Sequence, residues 1–173
     1  MNFEELYQEY KGLVLNLALQ YVQNLEDAEE ITQDVFVKIH FKISSFRQDA
    51  KLSTWIYRIT INCSLDFLKA KKRKKRFANL ISFFSPQNEN FSFEIPDLKH
   101  PGIELEQKEA LKKIFQFINE LPDNQKTALI LLKIEVKSQQ ETADIMNLSV
   151  KAVESLFQRA KSTLSKKIKD SEG

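Results

Sequence analysis

The chain has 173 residues, of which 42% are hydrophobic and 29% charged, and its formal net charge is +2. That length allows one ordinary domain or two small ones, the balance is that of a folded protein, and so small a positive excess excludes a chain that coats nucleic acid indiscriminately. Three glycines and four prolines disfavour a turn-rich all-β fold, and the single cysteine, Cys63, excludes an intramolecular disulfide and a thiolate zinc cluster.

Apolar residues recur at helical spacing along most of the chain, which predicts an all-α protein. The first helix is expected near residues 2–22, with Phe3, Leu6, Tyr10, Leu13, Leu17 and Tyr21 on related faces. Its start, MNFEELYQEY, is acidic and polar, so it does not read as a signal peptide. No run approaches a membrane span, and a cytoplasmic protein is expected. Asn24 is placed to cap a second helix at about 25–42, whose first turn is acidic as the helix dipole favours. In it Ala28, Ile31, Val35 and Ile39 face one core. Gln33, Phe36, Val37 and His40 point elsewhere, a mixed face suited to a protein partner.

Residues 46–76 read FRQDAKLSTWIYRITINCSLDFLKAKKRKKR. Ser53 is the expected cap of a long helix. On a wheel at roughly 100° per residue, Ile56, Ile59, Cys63 and Phe67 form an apolar face, while Trp55, Arg58, Asn62 and Lys69 fall together on the far side. An aromatic beside cations suits stacking on a base while the cations hold phosphates. Residues 69–76 carry seven bases and no acid, and residues 150–169 carry six bases and one acid. Between them, residues 77–110 carry six acids and two bases, so two basic patches are separated by an acidic segment.

The expected organisation is an N-terminal helical domain over 1–76, a linker over 77–104 and a C-terminal helical domain over 105–173. The linker holds Pro86, Pro96, Pro101 and Gly102, but also Phe83, Phe84, Phe91 and Phe93. In the C-terminal domain helices are expected at about 105–119, from Leu121-Pro122 onward with Leu129, Leu132 and Ile134 in the core, and at about 138–146 and 149–168. The last pair fits a helix-turn-helix. Ala143 is small where the helices cross, and Asn147 suits a left-handed turn position. Ser149 caps the second helix. Val150, Val153, Phe157, Ala160 and Leu164 form its buried stripe, leaving Lys151, Ser155, Gln158, Arg159, Ser162 and Lys166 for phosphates and base edges. Glu154 lies toward the edge of that face.

Taken together, the chain resembles the extracytoplasmic-function group of bacterial RNA polymerase sigma factors. The segment Asp27-Ala28-Glu29-Glu30-Ile31-Thr32-Gln33-Asp34-Val35-Phe36 resembles the family's helix that binds the polymerase clamp helices, which implies core-polymerase contacts for Asp27, Glu30, Gln33, Asp34 and Phe36. Residues 46–76 resemble its promoter-melting segment. That likeness implies a pocket residue in Phe46 for a base flipped from the minus-ten element, at a cost of a few kcal/mol that the pocket must offset. It also implies DNA contacts for Trp55, Arg58, Asn62, Lys69 and Arg73. Residues 139–159 resemble its helix-turn-helix for the upstream element, implying roles for Lys151, Ser155, Gln158, Arg159 and Lys166. Lys42 stands where relatives carry a small residue, and Glu154 and Leu156 stand where relatives often carry bases.

The resemblance implies an initiation factor that binds core RNA polymerase and promoter DNA and answers to a cognate anti-sigma factor, which would hold it at the inner membrane face. It implies no catalysis, cofactor, metal or small-molecule substrate. The sequence agrees in showing no Gly-rich phosphate loop, no nucleophile–base pairing at plausible spacing and no metal-ligand cluster. The alternative is a helix-turn-helix regulator that binds operator DNA without acting as a sigma factor.

Overall fold

Local hydrogen-bonding chemistry sets most of the helix ends. The computed structural model describes residues 2–46, 50–82 and 105–172. Among the described residues the secondary structure is helical. It comprises α1 (Phe3–Val22), α2 (Leu25–Lys42), a 3₁₀ turn (Ile43–Ser45) and α3 (Leu52–Ser82), then α4 (Leu105–Asn119), α5 (Asp123–Leu129) running into a π-helical turn (Ile130–Ile134), α6 (Gln139–Met146) and α7 (Val150–Glu172). The fold class is therefore all-α, as the sequence implies. The linker residues 83–104, with their four phenylalanines, and residues 47–49 of the loop after Phe46 lie outside the described residues.

Two compact units divide the chain. One holds α1, α2 and α3 from Ile59 onward; the other holds the start of α3 to Arg58 together with α4 to α7. In the first unit α1 packs along α2, which starts where Asn24 Oδ1 accepts the Asp27 N–H at 2.8 Å. Leu17, Tyr21, Ile31, Val35 and Ile39 are all but fully buried, and burial of each such side chain is worth about 1.5–3 kcal/mol. The chain turns between α1 and α2 through Gln23, which takes a left-handed conformation (φ 48°) and donates its N–H to the Leu19 carbonyl.

In the second unit Ile118, Leu121, Leu129 and Ala160 form a buried cluster, with Phe115, Phe157 and Leu164 packed against it. The helix-turn-helix is built as expected from its local chemistry. Asn147 is left-handed at φ 55° and ψ 46°, and the Leu148 N–H reaches the Ala143 carbonyl at 3.0 Å. Ser149 Oγ then accepts the Ala152 N–H at 3.1 Å, opening α7.

Ser138 and Glu141 cap the start of α6 reciprocally, each side chain accepting the other's backbone N–H. The hydrogen bonds from Ser138 hold the Glu141 carboxyl below its ordinary value. The bond therefore contributes above the ordinary glutamate range and is lost as pH falls through the lower folded value. Ser138→Ala is expected to cost about 1 kcal/mol in urea unfolding at neutral pH. Alanine keeps the backbone N–H that the Glu141 carboxylate accepts, so the loss of that bond in acid should weaken parent and variant alike.

Some ends and faces differ from expectation. Leu52 already opens α3, and the Trp55 N–H is held by the Lys51 carbonyl, so Ser53 lies inside the first turn and does not cap it. Nothing in residues 77–82 breaks a helix, and α3 runs on to Ser82 past the basic run. Pro122 sits one place ahead of α5 with extended ψ, its carbonyl accepting the Lys126 N–H. The π-turn, closed by the Glu135 N–H on the Ile130 carbonyl, shifts the phase of the apolar residues. Ile130 and Leu131 become fully buried, Leu132 is half-buried and Ile134 is exposed instead of filling the core.

Two residues past the π-turn stands Val136, a β-branched residue at φ 52° and 80% exposed, while the Lys137 N–H closes onto the Leu131 carbonyl at 2.8 Å. The left-handed conformation costs an ordinary residue roughly 1–2 kcal/mol and glycine almost nothing. Val136→Gly is therefore expected to raise stability by about 1 kcal/mol, read as a higher midpoint of unfolding in urea; no change would show that Val136 is unstrained.

Candidate nucleic-acid interface

Helical register sorts six of the seven bases of residues 69–76. Lys69, Lys72, Arg73 and Arg76 recur at spacings of three and four, so they form one stripe of α3 in line with Asn62, and all five are exposed. Lys71 and Lys74 turn the other way. Lys71 Nζ pairs with Asp27 Oδ2 of α2 at 2.5 Å, and both lysines, together with Arg73 of the stripe, line a cleft of about 580 Å³ with Asp27, Glu30, Asp34 and Asp66. Lys71 is thus neutralised within the unit, while Lys69, Lys72, Arg73 and Arg76 keep an exposed row along α3. An outward row of cations along one helix suits a phosphate backbone.

Cys63 opens onto the same cleft. Lys38 Nζ donates to its Sγ at 3.2 Å, which raises the lysine's pKa, while burial pushes the thiol up. A buried, protonated thiol is a small core group and not a reactive one, in keeping with the place of Cys63 on the apolar face of α3.

On α2 the sequence-derived contact residues separate. Glu30, Gln33 and Asp34 are exposed, and helical register places them on one side with Val37, 54% exposed, and Phe41, 76% exposed. Asp27 is half-buried in its ion pair. Phe36 is only 4% exposed and packs edge-on against Phe3 and Tyr7 of α1, which places it in the unit's own core. His40 stacks edge-on with Phe3 and Phe41. Phe41 escaped the sequence reading, although its spacing of four from Val37 was the available signal. A side of apolar, amide and acidic groups fits a protein partner better than DNA.

Phe46 ends the 3₁₀ turn after α2, half-buried, its N–H donated to the Ile43 carbonyl. Trp55 and Arg58 belong to the second unit and are half-buried there. Arg58 donates Nε to the Ile145 carbonyl at 3.2 Å and Nη2 to the Asp144 carbonyl at 2.5 Å. On α7 Lys151, Ser155, Gln158, Arg159, Ser162 and Lys166 are all exposed along one face, opposite buried Val153 and Ala160. Glu154 is exposed at its margin. Among the described residues no group of acidic, histidine or cysteine side chains is arranged to hold a metal ion.

Comparison with known proteins accounts for both units. Residues 6–74 match the family model Sigma-70 region 2, and residues 111–164 match Sigma-70, region 4. The chain is 30% identical to the ECF RNA polymerase sigma-E factor of Haemophilus influenzae over 96% of its own length and 87% of that protein. It is 28% identical to the ECF RNA polymerase sigma factor SigW of Bacillus subtilis, over 97% and 89%. It shares its fold with CnrH, solved in complex with the cytosolic domain of CnrY, at a TM-score of 0.65 and 20% identity over 97% of this chain and 88% of that one. The same TM-score and identity relate it to RpoE of Bartonella quintana, solved in complex with the anti-sigma factor NepR, over 96% of each chain. With the region 2 match on the α1–α3 segment, the region 4 match on the helix-turn-helix segment and relatives spanning nearly the whole length, the chain belongs to the extracytoplasmic-function family of RNA polymerase sigma factors.

Proposed function

We propose that this sigma factor divides its work among three surfaces. The exposed side of α2, with Glu30, Gln33, Asp34, Val37 and Phe41, binds core RNA polymerase. Phe46 and the α3 stripe of Asn62, Lys69 and Arg73, with Trp55 and Arg58, engage and hold melted minus-ten DNA. Lys151, Ser155, Gln158, Arg159 and Lys166 on α7 read the upstream element from the major groove. Asp27 acts through Lys71, and Phe36 supports α2 from behind. Residues 1–76 and 105–173 serve as the two sigma domains, and residues 77–104 as the tether between them.

The observation that carries this reading is the pair of outward basic faces, one on α3 in the region 2 segment and one on α7 in the region 4 segment. An operator-binding regulator accounts for α7 but not for residues 6–74, which match region 2. As an initiation factor the protein adds no chemistry; bond formation belongs to the polymerase. An anti-sigma factor is a fitting partner, since RpoE of Bartonella quintana, a protein of this fold, was solved with the anti-sigma factor NepR. No helix among the described residues is long and apolar enough to cross a membrane, and the work proposed places the protein in the cytoplasm.

Sigma-free core polymerase should co-elute with the chain on a sizing column, and the complex should transcribe a specific promoter class from a random promoter pool. Separate elution at low salt without inhibitor would end the reading.

A further inference from the structure

Of the exposed apolar side chains in the first unit, Val37 and Phe41 lie on the proposed polymerase side of α2. Phe77, 67% exposed, stands instead toward the far end of α3, directly after the basic run. Asn62, Lys69, Arg73 and Phe77 fall within an arc of roughly 80° on the α3 wheel, and all four are exposed. The contacts of Lys38 with Cys63 and of Asp27 with Lys71 set α2 antiparallel to α3, and α2 begins at Leu25. At a rise of roughly 1.5 Å per residue, Phe77 lies about 9 Å beyond Lys71, past the start of α2. The helix therefore carries an aromatic ring out of reach of its own bundle and in line with its outward cations.

We propose that Phe77 is a specificity residue: its ring reads a thymine methyl in the major groove of the duplex just upstream of the melted segment. The inference rests on the proposed placement of the α3 stripe on minus-ten DNA and extends it beyond the bases. Residues 72–76, immediately before the ring, are all basic. That charge is complementary to phosphate and not to an apolar protein surface. With Arg73 and Arg76 on phosphates, the ring faces the groove, and the apolar group a major groove offers is the C5-methyl of thymine. Asn62 and Phe77 are about 22 Å apart along the helix axis. At roughly 3.4 Å per base pair, the thymine lies within about seven base pairs of the DNA held at Asn62.

The test uses the full chain with core polymerase. Promoters are selected from a random pool by the parent holoenzyme and by Phe77→Ala, a surface change that leaves folding intact. The parent is expected to enrich thymine at one fixed position within about seven base pairs upstream of the melted segment. Phe77→Ala is expected to lose that preference alone and to keep those of the minus-ten and upstream elements. On a parent-selected promoter, deoxyuridine in place of that thymine deletes the methyl and keeps the base pair. Open-complex formation by the parent should then fall roughly fourfold, the worth of one buried methyl group, while Phe77→Ala should change by less than about 1.5-fold. Phe77→Leu, which keeps an apolar side chain, should retain part of the discrimination. No thymine preference at such a position, no effect of deoxyuridine on the parent, or an equal effect on parent and Phe77→Ala would overturn the inference. So would weaker binding of Phe77→Ala to core polymerase with DNA selection unchanged, which places the ring on the polymerase. If the parent transcribes and the thymine outcomes fail, only the Phe77 contact falls; a parent that transcribes no promoter overturns the initiation reading with it.

Discussion

Replacing Lys69, Lys72, Arg73 and Arg76 together with glutamine should lower promoter-DNA affinity by roughly 10²–10³-fold near physiological salt and flatten its salt dependence. Each phosphate contact with a duplex releases close to one counterion, so the loss of four should reduce the slope of log K against log salt by about 3–4. All four side chains are exposed on one stripe, so the substitution should barely move folding stability. Lys71 is the internal comparison. It pairs with Asp27 at 2.5 Å, so Lys71→Gln should change the salt slope little and destabilise the unit slightly. A slope equal to the parent's in the fourfold variant would show that the stripe does not lie on phosphates.

Phe46→Ala should reduce open-complex formation by about 5- to 150-fold, the equivalent of about 1–3 kcal/mol for one lost base–aromatic stack. Flipping a base from the stack costs a few kcal/mol, so a pocket without its aromatic wall leaves much of that cost unmet. Phe46 closes the 3₁₀ turn through its backbone N–H, which alanine retains, so the turn itself should survive. Binding to core polymerase, assigned to α2, should stay within about twofold, well below one pairwise stacking contribution. Phe46→Tyr should restore most of the activity because it restores the ring. Equal losses in both assays would make Phe46 a structural residue of the turn and not a base acceptor.

The stripe and the α2 side were legible in the sequence to different degrees. The stripe follows from spacing alone, because helical register fixes which bases share a face once the helix is granted. The bases left for DNA depend on Asp27, 44 residues away in the chain, which takes Lys71 inward. Spacing likewise sets Phe36 apart from the core stripe of α2, but it cannot show that Phe3 and Tyr7 of α1 cover it, so a residue expected at the polymerase surface turns out to be core. Phe41, exposed one turn beyond Val37, takes its place on the proposed partner side.

The features readable from the chain alone are those that short-range chemistry controls. Asn24 and Ser149 cap their helices because a side-chain oxygen meets an N–H three residues on. Asn147 makes the left-handed turn because few other residues tolerate it, and the apolar periods of α2 and α7 become their buried faces. Packing between distant segments sets the phase shift at Ile130–Ile134, the pairing of Lys71 with Asp27, and the bonds of Tyr57 to Glu135 and of Arg58 to the end of α6, between residues 78 to 87 positions apart. Periodicity reports which side of a helix is apolar. It does not report which distant charge or carbonyl the fold brings to that side, as Asp27 is brought to Lys71.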